Sequence, residues 1–161
     1  MNNFAEYNLQ IFISPSDVIL KTIADKHGDI SDKVFRGLKH TIERAKSFTG
    51  YFSVVLYNIN KDVIGFAHFI QHSKENEKWF YTDLWVDKEY RNQGNAKKLV
   101  SAGCNYLRNM GANILLCTVD SQNIPSIKTQ VSLGFKQVKA EPFEFFDDLE
   151  DLLMFSKEIM Y

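Results

Sequence analysis

The stretch of this sequence best suited to chemistry is Asp83-Leu84-Trp85-Val86-Asp87-Lys88-Glu89-Tyr90-Arg91-Asn92-Gln93-Gly94-Asn95-Ala96. A strand-like run passes into a polar loop, and the loop opens a helical pattern at Gly94. Backbone N–H groups at a helix start lack internal acceptors and carry the positive end of the helix dipole, so such a place binds phosphate. Gly94 and Ala96 are small, which lets a diphosphate come close to the main chain. Lys97 and Lys98 fall in the first helical turn, where the dipole disfavours cations unless an anion is present. Taken alone, the spacing Arg-x-x-Gly-x-Ala also suits a plain turn with solvated lysines. A nucleotide P-loop is a poor match, because the loop lacks the Gly-Lys-Ser/Thr ending.

Other chemistries are poorly served. Cys104 and Cys117 have no CxxC partner and no histidine at metal-ligand spacing, so they read as small buried hydrophobes and no metal is expected. The net charge of −1 argues against a general nucleic-acid binder. Met1-Asn2-Asn3-Phe4 lacks the features of a signal peptide, and no apolar run approaches the roughly 18 residues of a membrane span. A cytoplasmic protein with no membrane or nucleic-acid partner is expected. At 161 residues the chain suits one domain spanning residues 1–161.

The elements that must position the loop follow from periodicity. Leu9 to Ile13 reads as a strand stopped by Ser14-Pro15, and Ser16 or Asp17 could cap a helix ending near His27-Gly28. A second helix runs from Ser31 or Asp32 to Phe48, with Val34, Phe35, Leu38, Ile42 and Ala45 on one face. Tyr51–Ile59, Val63–Gln71 and Trp79–Val86 form three strands joined by short loops, as in an antiparallel meander. A helix from Gly94 to Met110 carries Ala96, Leu99, Val100, Gly103, Leu107 and Met110 on one stripe, with Gly111 as its cap. Asn113–Val119 is a continuous apolar strand, and Asn123 caps a helix through Leu133 with Pro125 in its first turn. Phe135–Val138 and Leu152–Ile159 are two last strands. The order is β-α-α-β-β-β-α-β-α-β-β.

The loop resembles the acyl-CoA signature of the GNAT acetyltransferase family, Arg/Gln-x-x-Gly-x-Gly/Ala, preceded by a strand end with an acidic residue. Asn123-Ile124-Pro125-Ser126 followed by Gly134-Phe135 is similar to a second stretch of that family. The element order matches across roughly the whole chain. The resemblance implies an α/β (α+β) fold with a mixed, mostly antiparallel sheet flanked by helices and splayed at a β-bulge. It implies an N-acetyltransferase moving an acetyl group from acetyl-CoA to a primary amine by direct attack in a ternary complex. The main-chain amides of Arg91, Asn92, Gln93, Gly94, Asn95 and Ala96 would hold the coenzyme A pyrophosphate. Leu84-Trp85-Val86 would bulge and splay, pairing with the pantetheine arm as a strand would, and a bulge amide at Leu84 or Trp85 would bond the thioester oxygen. Asn123 and Ser126 would meet the pantetheine side, although Asn123 is equally an ordinary N-cap.

An alkylamine acceptor, with a pKa of about 10.4, needs a group to take its proton. Asp83 at the strand end is the first candidate, with Asp87, Glu89 and His68 as alternatives. The family commonly places a tyrosine four residues before the Gly-Phe pair as acid for the departing thiolate, and here that position is Gln130. Glutamine donates a hydrogen bond but no proton. Tyr81, Tyr90 and Thr129 could substitute. No cysteine is expected at the site, so no covalent intermediate is expected either.

Glu141–Asp151 concentrates carboxylates among aromatics and, near the cleft, could attract a small-molecule or peptide amine such as a polyamine or aminoglycoside; a solvated connection is the plainer reading. A homodimer is left open. The alternatives to catalysis are an acyl-CoA-binding sensor or regulatory module, suggested by Gln130, and an interaction domain with a vestigial loop.

Overall fold

The computed structural model describes residues 7–47, 50–141 and 150–159. The elements follow in the expected order: β1 (Asn8–Phe12), α1 (Asp17–Asp25), α2 (Ser31–Ala45), β2 (Tyr51–Tyr57), β3 (Val63–Gln71), β4 (Lys78–Val86), α3 (Asn95–Asn109), β5 (Ile114–Asp120), α4 (Ile124–Ser132), β6 (Lys136–Val138) and β7 (Leu152–Glu158). Short 3-10 turns at Gly28–Ile30 and Lys88–Tyr90 had no periodic signal. The second helix ends at Ala45, and Phe48 lies outside the described residues. Met110 stands just past α3 and is exposed, so the buried stripe ends at Leu107.

All the strands join one seven-stranded sheet in the order β1-β2-β3-β4-β5-β7-β6. Every pairing is antiparallel except β4 with β5. Helices cover both faces, as a sheet with two apolar sides requires. Leu99, Val100, Cys104 and Leu107 of α3 pack on Phe52, Phe69, Trp79 and Tyr81. On the other face Leu20, Ile23, Leu38 and Ile42 of α1 and α2 pack on Val55 and Phe66, with Trp85 against them. Leu99 is fully buried, so truncating it to alanine would cost about 2–5 kcal/mol. Among the described residues no helix is long and apolar enough to cross a membrane.

Two irregularities in β4 prepare the site. Its pairing with β5 covers only Lys78↔Ile114, Trp79↔Leu115 and Phe80↔Leu116, after which the strands part. Opposite β3 the register slips between Phe66↔Trp85 and His68↔Thr82, which makes Asp83 and Leu84 the bulged residues. The bulge therefore sits one residue earlier than Leu84-Trp85-Val86. Its first residue, Asp83, has a positive φ of 57°. No glycine marks the place, and left-handed backbone in a non-glycine residue costs on the order of 1 kcal/mol.

Candidate functional site

Where β4 and β5 part, a cleft of about 940 Å³ opens between them. That volume is in the range of roughly 300–1,000 Å³ typical of small-molecule sites. The strand residues Tyr81–Val86 form one wall, Cys117–Asp120 the other, and α4 closes a side with Asn123, Ser126 and Gln130. The loop Arg91–Asn92 and the start of α3 stand at its mouth. Of the sequence-derived candidates, Asp83, Leu84, Trp85, Val86, Arg91, Asn92, Gly94, Asn95, Ala96, Asn123, Ser126 and Gln130 all line this cleft. Gln93 does not, because its side chain turns back to the carbonyl of Glu89 at 3.0 Å.

The loop is held in shape by its own side chains. Arg91 donates through Nε to the Val86 carbonyl at 2.9 Å, tying the loop to the end of β4. Asn95 is buried, and its amide donates to the Tyr90 carbonyl at 2.8 Å, so its side chain is part of the scaffold. Asn92 and Gly94 have φ values of 58° and 78°. Those left-handed steps turn the main chain into α3. The first helical hydrogen bond runs from Lys98 N–H to the Gly94 carbonyl, so the amides of Asn95, Ala96 and Lys97 have no helical acceptor. This concave run of free amides fits a diphosphate. Of the two lysines, Lys97 lines the cleft, whereas Lys98 is turned away onto Asn95 Oδ1 at 3.3 Å and over the Tyr7 ring at 3.6 Å.

Asp83 is the notable carboxylate. Burial pushes it up to about 6, against a hydrogen bond from Thr41 of α2 that lowers it. Its Oδ2 is buried and meets no hydrogen-bond partner among the described residues. The carboxyl thus faces α2, the side opposite α3. The other proposed bases are otherwise engaged. Asp87 is buried, caps the 3-10 turn through Glu89 N–H and pairs with Lys26 at 3.2 Å. Glu89 is exposed and outside the cleft lining. His68 is fully buried with Nδ1 2.7 Å from Ser53 Oγ, and desolvation drives it down to about 4.

At the apex of the cleft the structure gathers three side chains. The Tyr81 hydroxyl donates to Oε1 of Gln130, and the Cys117 thiol approaches the same oxygen at 3.5 Å. Desolvation pushes the Tyr81 phenol far up and the Cys117 thiol up to about 12, so both stay protonated. The expectation that no cysteine would reach the site is therefore corrected. Cys117 alternates inward on β5, on the same face as Tyr81, and only the strand pairing reveals that. The remaining candidate acids are placed elsewhere: the Tyr90 hydroxyl accepts from Asn58, and Thr129 Oγ1 donates to the Pro125 carbonyl. Asn123 accepts from Ser126 N–H at 3.2 Å, which is the N-cap reading. Among the described residues no cluster of three or more His, Cys, Asp or Glu is placed to hold a metal ion.

The sequence pattern of the acetyltransferase (GNAT) family matches residues 24–135, the span that carries the loop, the bulge and the apex. This chain belongs to the GNAT acetyltransferase family. Solved GNAT structures share its fold. A GNAT-family protein from Desulfovibrio desulfuricans superposes with a TM-score of 0.76 at 12% identity, covering 96% of this chain and 99% of that one. The PaiA N-acetyltransferase of Thermoplasma acidophilum, solved with coenzyme A, gives 0.69 at 15% identity, covering 94% of this chain and 99% of its own. A GNAT N-acetyltransferase from Escherichia coli, also in complex with coenzyme A, gives 0.68 at 16%, covering 99% and 84%. No curated protein matches the chain in sequence. The GNAT membership makes an acyltransferase the functional class.

Proposed function

We propose that this GNAT protein transfers an acetyl group from acetyl-CoA to a primary amine, by direct attack while both substrates are bound. The observation that carries the reading is the cleft itself. A strand edge freed by the β4–β5 splay runs from the bulge to a helix start with unpaired amides. The amides of residues 91–96 would hold the pyrophosphate, and the open edge of Leu84–Val86 would pair with the pantetheine arm. Acetyl-CoA, as co-substrate, supplies the activated acyl group.

Asp83 is suited to take the amine's proton. A carboxyl raised to about 6 is ionised at neutral pH yet more basic than an ordinary aspartate. It lies on the α2 side of the sheet, whereas Tyr81 and Gln130 pack on the α3 side. In this reading the proton leaves on the α2 side of the sheet. A bulge amide at Leu84 or Trp85 would stabilise charge on the carbonyl oxygen. Strained backbone at Asp83 is in keeping with a functional position. The continuous sheet from β1 to β6 supports reading the chain as one such domain.

The acceptor is taken to be a small-molecule or peptide amine. Most of the acidic aromatic stretch, residues 142–149, lies outside the described residues. Its near end, Glu141, is paired with Lys78 at 3.2 Å. The reading as a non-catalytic acyl-CoA sensor keeps one supporting observation, the absence of an ionisable acid at Gln130.

A thermal melt with acetyl-CoA, and with ATP as control, tests the donor site. Ligand at 100 times its dissociation constant adds about 2.7 kcal/mol, a rise of about 5–10 °C for a chain of this size. Thiol release on adding amines then separates the enzyme from the sensor.

A further inference from the structure

Strand alternation divides the cleft lining into two chemically different sides. Along β5, Leu115, Cys117 and Val119 turn to the α3 side and join the core beneath that helix. Leu116 turns to the α2 side, where it packs with Ala45 and Phe80. Thr118 and Asp120 continue that second row, because successive strand side chains point to opposite faces. Both line the cleft, on the same side as Asp83, whose carboxyl meets Thr41 of α2. The α3 side carries Lys97 and the unpaired amides, which suit an anion. From β4 and β5 the lining receives two carboxylates, Asp83 and Asp120, and no cation.

The two carboxylates differ in setting. Asp83 Oδ2 is buried and has no hydrogen-bond partner among the described residues, a condition that a charged donor in the cleft would relieve. Asp120 is exposed, and its Oδ1 accepts from Gln122 N–H at 2.7 Å, which fixes the carboxylate at the end of β5. The Asp151 carbonyl accepts from Ser121 N–H at 2.9 Å, so another acidic residue is brought beside it.

We infer that the acceptor is a small di- or polyamine, its reacting amine at Asp83 and a second ammonium group held at Asp120. The inference rests on the acyl-transfer reading and names the acceptor within it. Asp83 lies three residues past the last rung, Phe80↔Leu116, and Asp120 lies four past it on the other strand. The strands are about 4.8 Å apart at a rung and part beyond it, so the carboxylates stand more than one strand spacing from each other. The second ammonium must therefore sit several methylenes from the reacting nitrogen. It takes no part in the bond changes and contributes binding alone.

The test measures thiol release from acetyl-CoA with α,ω-diaminoalkanes and with n-alkylamines of the same length. Once the chain spans both carboxylates, wild type should favour the diamine by about fivefold in kcat/KM, beyond the statistical gain from two equivalent amines. The gain should appear in KM, because the distal group binds ground state and transition state alike, and added salt should erode it. Asp120→Asn keeps an acceptor oxygen for Gln122 N–H and removes only the charge, so it should level the two series. Equal use of both series by wild type, or a diamine preference that survives Asp120→Asn, overturns the inference and leaves acyl transfer standing. If no amine of either series releases thiol, the acyl-transfer reading falls with it.

Discussion

Gly103 of α3 faces the Phe69 ring of β3 so closely that a β-carbon added to the glycine would collide with the ring. The ring cannot retreat, because it stacks on Phe52 with centroids 4.8 Å apart. This contact sets the height of α3 over the sheet and so the place of the helix's first turn at the cleft mouth. Gly103→Ala should lower stability by about 1–3 kcal/mol, read as a drop of several degrees in Tm. An unchanged melt would mean that α3 lifts freely.

Asn95 offers a separate handle on the loop. Its side chain holds the Tyr90 carbonyl from a buried position, so Asn95→Ala leaves that carbonyl without its partner and loosens the turn. A stability loss of about 1–2 kcal/mol is expected, together with a smaller acetyl-CoA-dependent rise in Tm. An undiminished ligand shift would separate the amide cradle from this anchor.

Asp83 and His68 should drive stability in opposite directions with pH. The folded state raises Asp83 from 3.8 to about 6 through desolvation, so its contribution is present below 3.8 and lost as pH rises through 6. Desolvation lowers His68 from 6.5 to about 4, so its contribution is present above 6.5 and lost as pH falls through 4. Each amounts to about 3 kcal/mol over its range, and between those limits they offset. Asp83→Asn should therefore unmask a fall in stability on acidification, and His68→Asn a rise. Denaturant titrations across the window read both, and three parallel profiles would refute the burial of either group.

The same carboxylate should shape the rate. As a base, Asp83 must be ionised, so kcat/KM should fall as pH drops below about 6, and Asp83→Asn should remove that limb. A limb that survives the substitution belongs to another group.

Cys117 is close enough to the apex to raise the question of an acyl-enzyme. With its thiol held up to about 12, almost no thiolate is present at neutral pH. Incubation with acetyl-CoA and no amine should leave the intact mass of the protein unchanged. An acetyl adduct on Cys117 would replace direct attack with a two-step route.

Much of this was legible in the chain because local signals carried it. The glycine after Asn92-Gln93, the Asn123 cap and the switch from alternating to helical period gave the element order and the loop. What was hidden is tertiary. The left-handed step at Asp83 has no glycine to announce it, and its cause is the register slip against β3. The meeting of Tyr81, Cys117 and Gln130 joins residues from two strands and a helix. No spacing in the sequence encodes it. Asn95 enters the expected loop through its main-chain amide, and the burial of its side chain against the Tyr90 carbonyl has no local signal.

The β4–β5 ladder ends after Phe80↔Leu116, and this gives the sheet a seam. Everything from β1 to β4 is laced to β5, β7 and β6 by that short run of rungs, with helices bridging above and below. Amide protons on the parted sides of β4 and β5 should exchange with solvent well before those of β2 and β3, whose ladder continues to Tyr57 and Val63. An extended guest with amides at strand spacing would lace the seam further. Such a guest would be recognised by the rhythm of its backbone-like groups, which is a selectivity that substitutions among the lining side chains would leave largely intact.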